Sequence, residues 1–490
     1  MHRWAVNPSV TFPLGGTSSR RSNVSLPGSR PRCFLPIANA CQAESTAATF
    51  TKTSTRSTGF TRLRNIGSDL RVALPKTESS KMQCDMPSWL NVDFVEKVLR
   101  KSEKDASIEV KDVATKAATA TGDNYTSDMI RATVEYSRNK SGRRVTENIS
   151  LIVKVAPTAD SNIKNMIEKA GIFDTEISMM EETLERMNVL LDEEGYRLGA
   201  RVLYTEKGDP SLLVIEDLAP LGYRMADRQA GLDRHHCVLA LRGLAKFHAS
   251  SVALYEKDPN VMSPYYKGIF HPDQTEEMCQ FFNNGMNCLG KEVGTWTELG
   301  PGYSEKILAL SKVGYEKAAK AAKPRKGDFN VLNHGDFWVN NMLFRYNDEG
   351  KATDHIFVDF QLCVWTSPAV DILYFLNTSP SDDVIVHHCD ALLEEYLDAL
   401  TKTMKRLGCK TKPPSMADLK KSLEEREFYG VISACAVLPL LLVDKSEAKR
   451  LDEILGENGE YDNPGYKGQL YRKTMLRRLP DWNARGLLDV

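Results

Sequence analysis

Among the ten cysteines of this 490-residue chain no two stand in a Cys-x-x-Cys pair, and the spacings are wide. That excludes a zinc module and a dithiol redox pair, and it leaves thiols expected to be reduced and mostly buried. Net charge is also lacking: 64 basic against 65 acidic residues leave a formal charge of -1, which argues against a broad nucleic-acid surface. The local basic run of Lys317, Lys320, Lys323, Arg325 and Lys326 fits a solvated helix end, with an anion role as the lesser alternative. No long apolar run is present. The most apolar stretch, Gly430 to Leu442, is too short to span a bilayer and contains Pro439, so a buried helix is expected there and no membrane span. The pairs His235-His236 and His387-His388 are adjacent, so on a helix their rings diverge and make no metal site. Acids are scarce in the first eighty-odd residues, where Arg3, Arg20, Arg21, Arg30 and Arg32 lie among Ser and Thr. Residues 1–85 are therefore expected to be a disordered extension. An organelle transit peptide is the alternative, as is an upstream start, with Met82 or Met86 opening the folded part.

What is present is concentrated in Asn333-His334-Gly335-Asp336-Phe337-Trp338-Val339-Asn340-Asn341 and the later Ile356-Phe357-Val358-Asp359-Phe360-Gln361. An acid, a carboxamide five residues on, and a second acid at the end of an apolar strand form the spacing that phosphoryl transfer from a nucleotide asks for. Asp336 can accept a proton from an attacking hydroxyl. Asn341 and Asp359 offer hard oxygen donors that suit Mg²⁺. Asn347-Asp348-Glu349-Gly350 between the two halves predicts a hairpin, which would place them on adjacent strands. A lone Asp before a turn is usually a cap, and a lone Asn a turn former; the ordered set is what points to chemistry.

Upstream, Ser150 to Val155 predicts an apolar strand carrying one lysine, Lys154. A lysine in such a run either meets an anion or lies on the solvent face. Glu176 follows on a predicted helix whose Ile177, Met180, Leu184, Met187 and Leu191 form an apolar stripe. It is either the ion-pair partner of Lys154 or a solvated acid. Gly122 and Asn124, between two predicted strands, can bring backbone N–H groups to phosphates, although such residues also make plain hairpins. Ser211 to Leu218 predicts a strand ending at the place of a kinase hinge, with Glu216 and Leu218 against adenine. His334 is expected to orient the loop rather than to act as base, and His248 to be a satisfied core histidine. Asp371 either braces the catalytic loop or caps a helix.

The order of these segments, with Leu244 to Ala249, the string His334-Gly335-Asp336-x-Trp338-x-Asn340-Asn341 and Asp359-Phe360-Gln361, resembles the ecdysteroid-kinase-like (CHK-kinase-like) family, which is related to choline and aminoglycoside phosphotransferases. The likeness runs over roughly residues 86 to 490. It implies an α+β, two-lobed protein-kinase-like fold, with a small antiparallel-sheet lobe over 86–218 and a mainly helical lobe over 219–490. It also implies an ATP- and Mg²⁺-dependent kinase acting on a small-molecule alcohol, with ecdysteroids as the best-known acceptors. By the same resemblance Asp336 is the base, Asn341 and Asp359 are the metal ligands, Lys154 is the phosphate lysine and Glu176 its partner. Two departures stand out: Ala120 and Asp123 replace a glycine and a glutamate of many relatives, and Gln361 stands where protein kinases have a glycine. Other acceptors, such as choline, an amino alcohol or a xenobiotic, and a catalytically silent binding protein are the alternatives. A cytoplasmic protein is expected, and the oligomeric state is left open.

Overall fold

The computed structural model describes residues 87–119, 126–157, 162–192, 195–456 and 461–490. The 1–85 extension and the phosphate-loop residues Gly122 and Asn124 lie outside that set. The first part of the chain builds α1 (Val92–Glu103), β1 (Glu109–Ala117), β2 (Asp128–Lys140), β3 (Arg143–Val155), α2 (Asn162–Ala170), α3 (Ile172–Ser178), α4 (Leu184–Leu191), β4 (Val202–Glu206) and β5 (Leu212–Glu216). The five strands form one sheet in the order β1-β2-β3-β5-β4, antiparallel throughout. Period-two alternation sets its two faces. Ile130, Ala132 and Val134 of β2, Leu151, Val153 and Val155 of β3, and Val214 of β5 pack with Val95, Val98 and Leu99 of α1 into a small core. The alternate residues Ile152, Lys154 and Ile215 therefore face the other way. The last five residues of β3 are all buried, because both faces are covered there.

The predicted apolar helix appears as α3 and α4, joined by a π-helical turn at Met179–Thr183. Its stripe of Ile177, Met180, Leu184, Met187 and Leu191 is buried, and so is Glu176. π-turns inside helices often mark functional positions.

After β5 the chain becomes mainly helical: β6 (Tyr223–Arg224), α5 (Arg234–Lys257), α6 (Glu276–Val293), α7 (Gly302–Leu310) and α8 (Gly314–Ala322) precede a cluster of short strands, β7 (Val331–Asn333), β8 (Met342–Tyr346), β9 (Ala352–Phe357) and β10 (Val364–Thr366). Then come α9 (Ala369–Thr378), α10 (Asp382–Arg406), α11 (Met416–Glu425), α12 (Phe428–Ala436), α13 (Leu438–Leu442), α14 (Leu451–Leu455) and α15 (Gln469–Ala484). A second, larger core fills this part. At its centre lies α5, long and apolar enough by length and composition to cross a membrane but mostly buried within the body. The apolar stretch expected as one buried helix is divided into α12 and α13, with Pro439 in the first turn of α13, where its missing N–H costs nothing.

Candidate active site

Two strand pairs place the two halves of the motif side by side. β7 pairs with β10, Asn333 opposite Val364, and β8 pairs with β9, Met342 opposite Phe357. The segments 334–341 and 358–363 thus leave one ladder and join the other together. The Val358 N–H donates to the Asn341 carbonyl at 3.1 Å, so Asn341 and Asp359 emerge at the same end of the hairpin. The turn of that hairpin falls on residues 347–350, as its Asn and Gly predict, with Gly350 at φ 75°.

The loop carrying Asp336 is over-determined. Asp371, fully buried on α9, accepts the backbone N–H of His334 at 2.7 Å and that of Gly335 at 2.9 Å, while its own N–H donates to Asn333 Oδ1 at 3.2 Å. Of the two expected roles, Asp371 fills that of a brace. His248 lies 3.1 Å from the same carboxylate through Nε2 and 2.8 Å from Tyr396 Oη through Nδ1, so both ring nitrogens are satisfied in the core. Burial lowers the pKa of His248 despite Asp371, so the neutral ring donates to the carboxylate and accepts from the tyrosine. Gly335 has φ 82°, and a Cβ there would come 1.8 Å from the Leu362 carbonyl oxygen. Only glycine fits. His334 places Nε2 3.1 Å from the Val358 carbonyl and packs its ring against Phe357 and Phe360. It ties the two segments together, as a positioning residue.

Asp336 is buried with both carboxylate oxygens held. Tyr374 Oη donates to Oδ1 at 2.6 Å, and Asn341 Nδ2 donates to Oδ2 at 2.8 Å. Burial pushes its pKa up to about 7; the Tyr374 and Asn341 donors oppose that rise and the nearby Asp359 charge adds to it. The Asn341 amide group is committed to Asp336, which leaves its carbonyl oxygen for a cation. Asp359 has φ 69°, a left-handed conformation that Asp tolerates better than most residues and that is found where a site constrains the backbone.

Lys154 lies 2.6 Å from Glu176 and 2.8 Å from Asp359, almost wholly out of solvent. Burial works against its charge, but the two carboxylates outweigh it and hold the amine above the ordinary lysine range. Glu176, sealed more deeply, is pushed upward by burial, with Lys154 pulling it back. The lysine therefore meets anions, and Glu176 is its partner. Glu216 and Leu218 line the same cleft, and the Glu216 carboxylate pairs with Arg197 at 2.6 Å. Arg131 and Asp217, 2.7 Å apart, also line it, with Ser150 donating to Asp217 at 2.6 Å.

Two cavities meet at these residues. One lies against the sheet and is lined by Ile152, Lys154, Glu176, Ile215, Leu218 and Phe357 together with Asn341 and Asp359. The other holds Asp336 and is walled mainly by apolar side chains, among them Ile269, Met278, Phe281, Phe282, Leu440 and Leu451. Asn341 and Asp359 line both.

The sequence matches the ecdysteroid kinase-like family over residues 121–409, a narrower stretch than the 86–490 resemblance. The chain belongs to that family. Curated proteins give no match. Among solved structures it is similar to the choline kinase LicA from Streptococcus pneumoniae at 12% identity, with a TM-score of 0.33 and coverage of 79% of this chain and 98% of that one. So distant a likeness has no bearing on the site of this family member.

Several residues of the site were missed by sequence reasoning. Tyr374 had a signal, since it lies three residues after Asp371 on one helix and so shares its face. Trp338 stands inside the motif, yet nothing in its spacing assigns it a partner. The walls supplied by α6, α13 and α14 had none, because segments more than a hundred residues apart meet there only in the folded chain.

Proposed function

We propose that this protein is an ATP-dependent kinase that phosphorylates a hydroxyl of an apolar small molecule, a steroid alcohol of the ecdysteroid class being the acceptor that membership of the family favours. The observation that carries the reading is the meeting of the two cavities at Asn341 and Asp359, with the base on the acceptor side and the lysine on the other. ATP occupies the sheet-side cleft, its adenine against the 214–218 segment and its phosphates toward Lys154. Asp336 takes the proton from the acceptor hydroxyl. The freed oxygen bonds to the terminal phosphorus as the bond to the bridging oxygen breaks and ADP leaves. A base with a pKa near the working pH combines the right protonation state with a real driving force for proton transfer.

Mg²⁺ fits the donor set. The Asn341 carbonyl oxygen and the Asp359 carboxylate are hard oxygen ligands on one hairpin end, and Mg²⁺ commonly takes one or two protein ligands beside phosphate oxygens and water. No cluster of three or more His, Cys, Asp or Glu side chains able to hold a metal occurs among the described residues. When bound, the ion neutralises charge on the phosphates.

Incubating the purified protein with Mg²⁺, labelled ATP and a panel of hydroxylated steroids, choline, amino alcohols and xenobiotic alcohols tests the reading. Phosphate transfer to apolar alcohols that is lost in Asp336→Asn supports it. Transfer to choline alone would reassign the acceptor, and stabilisation by a panel member without transfer would leave a binding protein.

A further inference from the structure

The Asp336 side chain is held from two parts of the molecule. Asn341 Nδ2 donates to the Asp336 carbonyl at 3.1 Å and to Oδ2 at 2.8 Å, so one hold belongs to a residue that also lines the sheet-side cleft. The other comes from α9, none of whose residues lines that cleft. Tyr374 stands on α9 one turn beyond Asp371, is buried, and donates its hydroxyl to Oδ1 at 2.6 Å. That length suits an O–H donor on an ionised carboxylate, among the stronger hydrogen bonds open to a protein. Asp336 is the only hydrogen-bond partner of this hydroxyl among the described residues. A carboxylate with a donor on each oxygen cannot rotate without breaking both bonds, yet each oxygen keeps a lone pair for an incoming proton. Since Asp371 already fixes the loop backbone, α9 holds both the loop and the group it carries.

We propose that Tyr374 is a positioning residue for phosphoryl transfer: its hydroxyl keeps the Asp336 carboxylate in the orientation that receives the acceptor proton, and it serves turnover through that carboxylate rather than by touching acceptor or nucleotide. This rests on the kinase reading. Tyrosine suits the task because its ring is itself fixed, buried beside Tyr429 with the ring centroids 6.3 Å apart. Burial and the Asp336 charge raise the pKa of the phenol, so it keeps its proton and acts as a donor, not as a second base. The hold matters for rate because proton abstraction and in-line attack need the reacting groups placed to within a fraction of an ångström. Asn341 alone leaves Oδ1 free to swing away from the acceptor.

The test uses full-length protein, Mg²⁺, ATP and whichever alcohol of the panel above the parent turns over fastest. Tyr374→Phe keeps the ring and removes the donor; kcat should fall about 10–100-fold, while KM for the alcohol and for ATP stay within about twofold. Adding Tyr374→Phe to Asp336→Asn should change the remaining rate by less than about twofold, because the group it acts through is already disabled. A residue needed only for packing would lower the rate in both backgrounds. Parental kcat in Tyr374→Phe, a loss of equal size in the Asp336→Asn background, or a raised KM for the alcohol at unchanged kcat overturns the proposal while the kinase reading stands. A parent that phosphorylates no alcohol at all overturns both. Should Tyr374→Phe fail to fold, Tyr374→Met removes the same donor on a more adaptable side chain and is read in the same two backgrounds.

Discussion

The two cavities that meet at Asn341 and Asp359 are built on opposite principles. The sheet-side cleft holds buried charge: Lys154 between Glu176 and Asp359, with the Arg131–Asp217 pair beyond. The acceptor chamber is mostly aliphatic and aromatic, and its polar groups gather where it touches Asp336. Charge suits a ligand recognised by its phosphates, as the nucleotide proposed for this cleft would be whichever acceptor is used. An apolar wall recognises by shape and excludes water, and it sharpens the electrostatics of the few polar groups at its end. The difference also shows where specificity can change. On the proposed reading, substitutions in the chamber wall should alter which molecule enters, whereas those in the charged cleft should remove the transfer for all acceptors.

The most severe break of that contrast is Asp336→Asn. Turnover should fall by about 10²–10⁴-fold, while the rise in melting temperature on adding Mg²⁺ and ATP persists, because the residue belongs to the chamber. Loss of the nucleotide-induced shift would mean that the two cavities are not functionally separate. Next is Lys154→Met, which leaves Glu176 buried without its cation. Denaturant titration should show a loss of about 3–5 kcal/mol, smaller at pH 6 than at pH 8, where Glu176 must give up its proton. A variant as stable as the parent would show that the buried pair does not hold the cleft together. Leu451→Ala, on the chamber wall, should raise KM for an apolar acceptor about tenfold and leave KM for ATP unchanged, measured by steady-state kinetics. Equal changes in both constants would blur the contrast.

The smallest effects are those of pH. If Asp336 is the base, as proposed, it must be ionised to accept a proton, and kcat/KM should climb as pH rises through about 7, far above an ordinary carboxylate. Stability moves in the opposite direction. The unfolded chain releases this proton near 3.8 and the folded one near 7, so the folded state binds more protons in between, and stability falls as pH rises across that window. Asp336→Asn should flatten that part of the stability profile, and an unchanged slope would assign it to other groups.

Much of the fold and site could be read in the chain because local rules carry it. The hairpin at 347–350 brings Asn341 and Asp359 to one end of a strand pair, and the period-two pattern of β3 places Lys154 on the face opposite Val153 and Val155. The helical stripe through Leu191 was legible for the same reason, although its π-turn was not. Where the outcome depends on burial, the sequence left alternatives: Glu176 was as consistent with a solvated acid as with a partner for Lys154, and Asp371 with a cap as with a brace.

The sequence alone determined the order of the chemical groups, their spacing within each segment and the elements that present them, since these follow from backbone geometry over a few residues. Tertiary structure alone decided the raised pKa of Asp336, the engagement of Glu176, the clamp from Tyr374 and the apolar walls of the Asp336 chamber. Each of these depends on which distant segments exclude water from a group, and desolvation is a property of the packed surroundings rather than of neighbours along the chain.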